Sequence, residues 1–134
     1  MKHLNPYLAF PGTSEAAMKF YQECLGGELT MQTFAQSGQE VPDDYKDKIM
    51  HSELKVEGIQ IMASDTMSNH TIIPGDNITL SIQLTDLQEE ETIFNKLAAD
   101  GKVTMPLQDT FWGARFGMLI DQFGINWMLN CPTQ

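Results

Sequence analysis

Residues 106–130 read PLQDTFWGARFGMLIDQFGINWMLN, and this stretch decides the fold. Two tryptophans, three phenylalanines, three glycines and one arginine fall in short β-prone runs broken by glycine turns, the pattern of consecutive strands. Its end has an earlier counterpart. Gly58-Ile59-Gln60-Ile61-Met62 and Gly124-Ile125-Asn126-Trp127-Met128 share Gly, Ile and Met at a constant offset of 66. Phe20, Gly27, Thr30 and Met31 recur as Phe94, Gly101, Thr104 and Met105 at an offset of 74. The chain reads as one module written twice. The drop from 74 to 66 assigns about eight extra residues to the loop after the first helix and strand, where insertions are tolerated.

Outward from that stretch, the elements repeat in order. Leu4 to Phe10 is a β-prone run stopped by Pro11-Gly12. Thr13 or Ser14 suits an N-cap, and Ala17, Phe20, Tyr21 and Cys24 form an apolar helical stripe that Gly26-Gly27 closes. Glu28 to Ala35 is expected as a strand and Gln36 to Lys48 as an exposed loop. Ile49 to Glu57 places Met50, Leu54 and Val56 on one side and His51, Glu53 and Lys55 on the other. Gly58 turns the chain into Gln60 to Asp65, and Thr66 to Asp76 is a polar link. Asn77 to Thr85 alternates strongly through Ile78, Leu80, Ile82 and Leu84. Asp86 with Glu89 reads as a capping box before a stripe of Ile93, Phe94, Leu97 and Ala98, ended by Gly101. Lys102 to Leu107, Ala114 to Ile120 and Ile125 to Cys131 supply three more strands. A module alone would expose one sheet face, so the two are expected to pack together, with their polar faces forming a concave surface as the site.

Composition narrows the function. The 134 residues fit one domain, module one at about 1–70 and module two at about 75–134. Eight basic against 18 acidic side chains, a net charge of −10, argue against nucleic acid and anionic membrane as partners. The amino terminus lacks a signal-peptide apolar region and no run approaches a membrane span, so a cytoplasmic protein is expected. Cys24 and Cys131 have no CxxC spacing and are expected as reduced thiols.

Several polar and aromatic residues have chemical potential. His51 and Glu53 share one strand face, about 7 Å apart along the backbone, and could act as general base and partner or form a solvated polar pair. Arg115, the sole arginine, lies between Gly113 and Gly117 beside Trp112; it suits the carboxylate or phosphate of a ligand, or a pairing with Asp109 or Glu53. Trp112 and Phe111 could stack on a planar ligand or lie in core or interface, whereas Trp127 alternates onto the apolar side. Asp65 reads as a turn residue or a rim carboxylate, and His3 and His70 as exposed spectators.

The doubled βαβββ unit, with FYQECLGG closing the first helix and DQFG before the last strand, resembles the vicinal oxygen chelate superfamily of glyoxalase I, bleomycin-resistance proteins and extradiol dioxygenases. NPYLAF, FYQECLGGEL, IMHSELKV, IMASD, GKVTMPLQDTFWGARFGMLID and FGINWMLN are similar to its PhnB-like branch, often labelled demethylubiquinone methyltransferase-like. The resemblance implies an α+β fold of two βαβββ modules in pseudo-twofold arrangement, a curved sheet with a cup, and a homodimer. In metal-dependent relatives four residues in the cup hold a divalent metal; the matching positions are Asn5, Met62, Thr79 and Met128. An amide, a hydroxyl and two thioethers make a poor cage, so no metal or other cofactor is expected, although the resemblance leaves a divalent ion open. Methyl transfer is not expected either, because no GxGxxG run offers a nucleotide-type cofactor its Gly-rich turn. The ligand-cup set is then Asn5, Tyr7, Met62, Thr79, Trp112 and Met128, with His51, Glu53 and Arg115 as catalytic candidates. Three functions stay open: binding of a small, apolar, partly planar molecule without turnover, a glyoxalase- or dioxygenase-type enzyme acting on a small metabolite, or a bare structural or interaction module, which a filled or collapsed cup would favour.

Overall fold

The computed structural model describes residues 1–133, an α+β chain of two compact units, Met1–Ile73 and a second from Pro74 onward. In the first unit β1 (Tyr7–Phe10), α1 (Ser14–Leu25), β2 (Glu28–Thr33), a single turn α2 (Phe34–Ser37), β3 (Ile49–Val56) and β4 (Ile59–Asp65) build an open sheet of order β1-β4-β3-β2. Only the β1 and β4 pairing is parallel. The second unit repeats this with β5 (Leu80–Gln83), α3 (Leu87–Ala98), β6 (Lys102–Asp109), β7 (Ala114–Ile120) and β8 (Asn126–Pro132), in the order β5-β8-β7-β6.

Each helix covers one face of its own sheet. In α1 the covered side chains are Ser14, Ala17, Met18, Tyr21 and Cys24; Phe20, expected in the stripe, is half-buried. Thr13 makes no side-chain cap. The helix start is held from the sheet instead: Asp65, 4% exposed, accepts the Ser14 N–H through Oδ1 and the Ile49 N–H through Oδ2, each at 2.8 Å. Asp65 is therefore neither a turn residue nor a rim carboxylate but a buried tie between α1, β3 and β4. In the second unit Asp86 accepts the Gln88 N–H at 2.9 Å and caps α3 without the reciprocal bond expected of Glu89.

The repeated glycines have a physical reason. A Cβ on Gly27 would sit 2.4 Å from the Lys55 carbonyl oxygen, and one on Gly101 2.4 Å from that of Ile120. Both let the chain leaving a helix press against the third strand of its module. The strands keep the repeat, since Tyr7 pairs with Met62 as Ser81 pairs with Met128. The helices shift by one. Ala17, Tyr21 and Cys24 are buried as Glu90, Phe94 and Leu97 are, so Phe94 corresponds in burial to Tyr21 and not to Phe20.

Two segments differ from expectation. The segment 36–48 is pinned rather than free: Thr33 and Gln36 form a capping box on α2, and the 3-10 turn Asp43–Tyr45 buries Tyr45 against Phe34, ring centroids 5.6 Å apart, with its hydroxyl donating to the Thr66 carbonyl. β5 is shorter than the alternation of 77–85 suggests, and Ile78 is 74% exposed. The turn before β8 is organised by Asp121, whose Oδ1 accepts the N–H groups of Phe123 and Ile125 while Oδ2 accepts the indole N–H of Trp127 at 2.8 Å. Trp127 is core, 2% exposed.

Candidate functional site

Strand register determines which side chains share a face. In the first sheet a row crosses all four strands on the face away from α1: Tyr7, Met62, Glu53 and Thr30. Next to it, Ala9 pairs with Ser64 and Gln32 with His51. The Tyr7 hydroxyl lies 2.8 Å from His51 Nδ1, with the rings tilted at a centroid separation of 5.6 Å. Glu53 is not the partner of His51. Its Oε1 accepts from the Gln60 amide at 3.1 Å and its Oε2 lies 3.5 Å from Lys55 Nζ, so it serves a polar sheet surface.

In the second sheet the helix-free face carries Ser81, Met128, Met118 and Met105 in one row and Gln83, Asn130, Phe116 and Gln108 in the next. Trp112, 54% exposed in the turn between β6 and β7, meets Phe116 edge-on at 5.8 Å and Phe111 at 5.0 Å. Phe111 is 97% exposed. Three thioethers and two aromatic rings thus furnish an adaptable apolar surface framed by amides.

Arg115 lies elsewhere. It pairs in register with Cys131 and Asp109, on the α3-covered face that also carries Leu119 and Trp127. The expectation that it joins His51 and Glu53 on a helix-free face is corrected by this alternation. Its Nε donates to Asp109 Oδ1 at 3.1 Å, the pairing that had been one of its two alternatives. Asn5 and Thr79 fall just before β1 and β5 rather than within them. His3 and His70 are exposed.

A divalent metal does not fit the four family positions. They offer one amide, one hydroxyl and two thioethers, whereas such a cation takes carboxylate, imidazole or thiolate. Among the described residues no three His, Cys, Asp or Glu side chains gather as a metal cage.

The sequence reading missed Glu90. It is fully buried on α3, and among the described residues neither carboxyl oxygen has a hydrogen-bond partner. Burial pushes its carboxyl up from 4.5 to about 7, with Arg115 pulling the other way. The same neighbourhood raises the Cys131 thiol, through burial first and then Glu90 and Asp86, against Arg115. Glu90 precedes Phe94 and Leu97 by four and seven positions, so the stripe extended back one turn would have found it.

Residues 2–130 match the family described as 3-demethylubiquinone-9 3-methyltransferase. Protein YjdN of Escherichia coli K12 is 36% identical over 146 aligned positions, covering 98% of this chain and 96% of that protein. The crystal structure of PA1353 from Pseudomonas aeruginosa is similar at 40% identity and a TM-score of 0.88, covering 98% of both chains. The PhnB protein from Bacillus cereus is similar at 26% identity and a TM-score of 0.79, over 97% of this chain and 99% of that one. A glyoxalase/bleomycin resistance protein/dioxygenase domain from a Frankia species shares the fold at 12% identity and a TM-score of 0.70, over 98% and 92% of the two chains. With its doubled strand, helix and three-strand unit and a match running almost end to end, the chain belongs to the PhnB-like 3-demethylubiquinone-9 3-methyltransferase family, within the glyoxalase/bleomycin-resistance/dioxygenase fold.

Proposed function

We propose that this chain binds a small, partly planar, largely apolar molecule on helix-free sheet surface, without a divalent metal. The observation that carries this is the row Met128, Met118 and Met105 beside Phe116 and Trp112. Thioethers adapt to irregular shapes and aromatic edges accept planar faces, while Gln83, Asn130 and Gln108 supply orienting hydrogen bonds. The methyl transfer in the family's description is not part of the proposal. The parallel pairings described here are β1 with β4 and β5 with β8, and neither sheet offers the glycine-rich strand-to-helix turn that cradles a nucleotide-type cofactor. The binding form is expected to be a homodimer, which analytical ultracentrifugation checks.

The test is a screen of planar apolar fragments, naphthol and simple quinones among them, against protein labelled at the methionine methyl carbons. Binding should shift Met118 and Met128 and leave Met18, which α1 buries against its own sheet, in place. If no fragment at millimolar concentration moves those methyls, or if native mass spectrometry finds a stoichiometric divalent metal, the proposal fails.

A second reading rests on the Tyr7 and His51 pair. With Nδ1–H donating to the Tyr7 phenol oxygen, the pair fixes the imidazole and leaves Nε2 with a lone pair to accept a proton, the geometry of general base catalysis. Turnover abolished by His51→Ala and reduced by Tyr7→Phe, with fragment binding retained, would favour this enzyme reading.

A further inference from the structure

Between α3 and the β6 edge the second unit holds a groove of about 610 Å³, lined mainly from the α3-covered side of the sheet and reached at the edge by Gln108. Its apolar walls are Phe94, Val103, Pro106 and Leu107, and Arg115 lines it from β7. Gly117 belongs to the same face. A Cβ there would come within 2.8 Å of Phe94 Cε2 and 3.0 Å of Leu107 Cδ2, so the missing side chain lets these two close over the floor. Among the described residues Arg115 bonds through Nε alone, to Asp109, so its Nη donors can serve another acceptor. Glu90, buried behind Arg115, has neither carboxyl oxygen partnered among the described residues. An arginine fork with spare donors beside an apolar groove of this size is the equipment for a small carboxylate.

We propose that the groove between α3, β6 and β7 is a separate binding site for a monocarboxylate with an apolar body, its carboxylate held by the Nη groups of Arg115 and its body by Phe94, Val103, Pro106 and Leu107. The charge is limited to one. Asp109 on β6 and Glu91 on α3 stand at the same groove and oppose a second negative charge, which disfavours phosphate. Occupancy is linked to protons. Glu90 interacts with Arg115 on β7 and with Cys131 on β8, which also feels Asp86 at the start of α3, so a charged Glu90 would set one more negative centre behind the arginine that holds the anion. The neutral form of Glu90 admits the ligand and the charged form repels it.

Because Arg115 is the sole arginine, the protein gives a single arginine ¹⁵Nε–H resonance, which reports the groove directly. Benzoate is the probe, with inorganic phosphate at pH 8, where it is mostly the dianion, as the comparison. Benzoate should shift that resonance saturably and phosphate should not. If only the neutral form of Glu90 binds, benzoate affinity falls about tenfold between pH 6 and pH 8. Glu90→Gln should remove the pH dependence, and Arg115→Lys, which keeps the charge but loses the fork and the reporting resonance, should weaken binding at least tenfold as read from benzoate's own proton line widths in both proteins. The proposal is overturned if benzoate leaves the Nε resonance unmoved at tens of millimolar, if phosphate binds as well as benzoate, or if Glu90→Gln retains the full pH dependence. The methionine methyls of the opposite face report the proposed function independently, so either result stands without the other.

Discussion

Replacing Glu90 by Gln should make the protein's stability less dependent on pH, in a direction and size that follow from where Glu90 sits. Burial raises the carboxyl from 4.5 to about 7 in the folded chain, with Arg115 partly opposing. The folded state therefore holds a proton that the unfolded state has released between these two values. The stabilisation linked to that proton is complete below about pH 4.5 and is lost as pH climbs through about 7. At about 1.4 kcal/mol per unit, the loss amounts to about 3 kcal/mol. Gln has nearly the same shape and no charge to lose, so it avoids the loss while sharing the cost of an unpartnered polar group. Urea unfolding of both proteins is the assay. At pH 5 they should agree within about 1 kcal/mol, and at pH 8 the Gln form should be about 3 kcal/mol more stable, roughly 10 °C in a melting scan. An equal difference at pH 5 and pH 8 would refute the reasoning, because the charge of Glu90 would then not be the source of the cost.

Three further outcomes follow from the packing. Asp65→Ala strands the N–H groups of Ser14 and Ile49 and should cost about 3 kcal/mol in denaturant unfolding, with Asp65→Asn recovering part of it. Gly101→Ala forces a Cβ to 2.4 Å from the Ile120 carbonyl oxygen and should cost more than 2 kcal/mol, whereas Gly58→Ala, with nothing within 4 Å, should change stability by less than about 1 kcal/mol. Cys24 and Cys131 are buried, and Cys131 is pushed up in pKa by burial, Glu90 and Asp86, so a thiol reagent at pH 8 should label both only as fast as the protein opens.

The duplication was legible because it lay in glycines and in period-two runs. Gly27 and Gly101 repeat where the backbone has no room for a side chain, and Ala114–Ile120 emerged as the strand its composition suggested. Faces were harder. ARFGMLI carries apolar residues in both phases of the alternation, so nothing in it says which side Arg115 takes; the buried phase is marked by Gly117 and Leu119, and glycine has no hydropathy to show. The partner of His51 was hidden for another reason. Tyr7 lies 44 positions away, and only the parallel register of β1 on β4 brings it across. Glu90 was passed over because a charged residue in a helix is ordinarily solvated, although its spacing from Phe94 and Leu97 placed it inward.

The two halves anchor their helices differently. In the first, a carboxylate from the end of β4 reaches up to the first turn of α1 and to β3, so helix and sheet are riveted together. In the second, the corresponding place on β8 is Cys131, the acid has moved onto the helix as Glu90, and α3 caps itself with Asp86. The first turn of α3 thus depends on its own capping residue, whereas that of α1 depends on the sheet beneath it. One architecture, with its acid on the strand in one half and on the helix in the other, has one helix braced from its sheet and one held by its packed side chains, and the groove runs along the second.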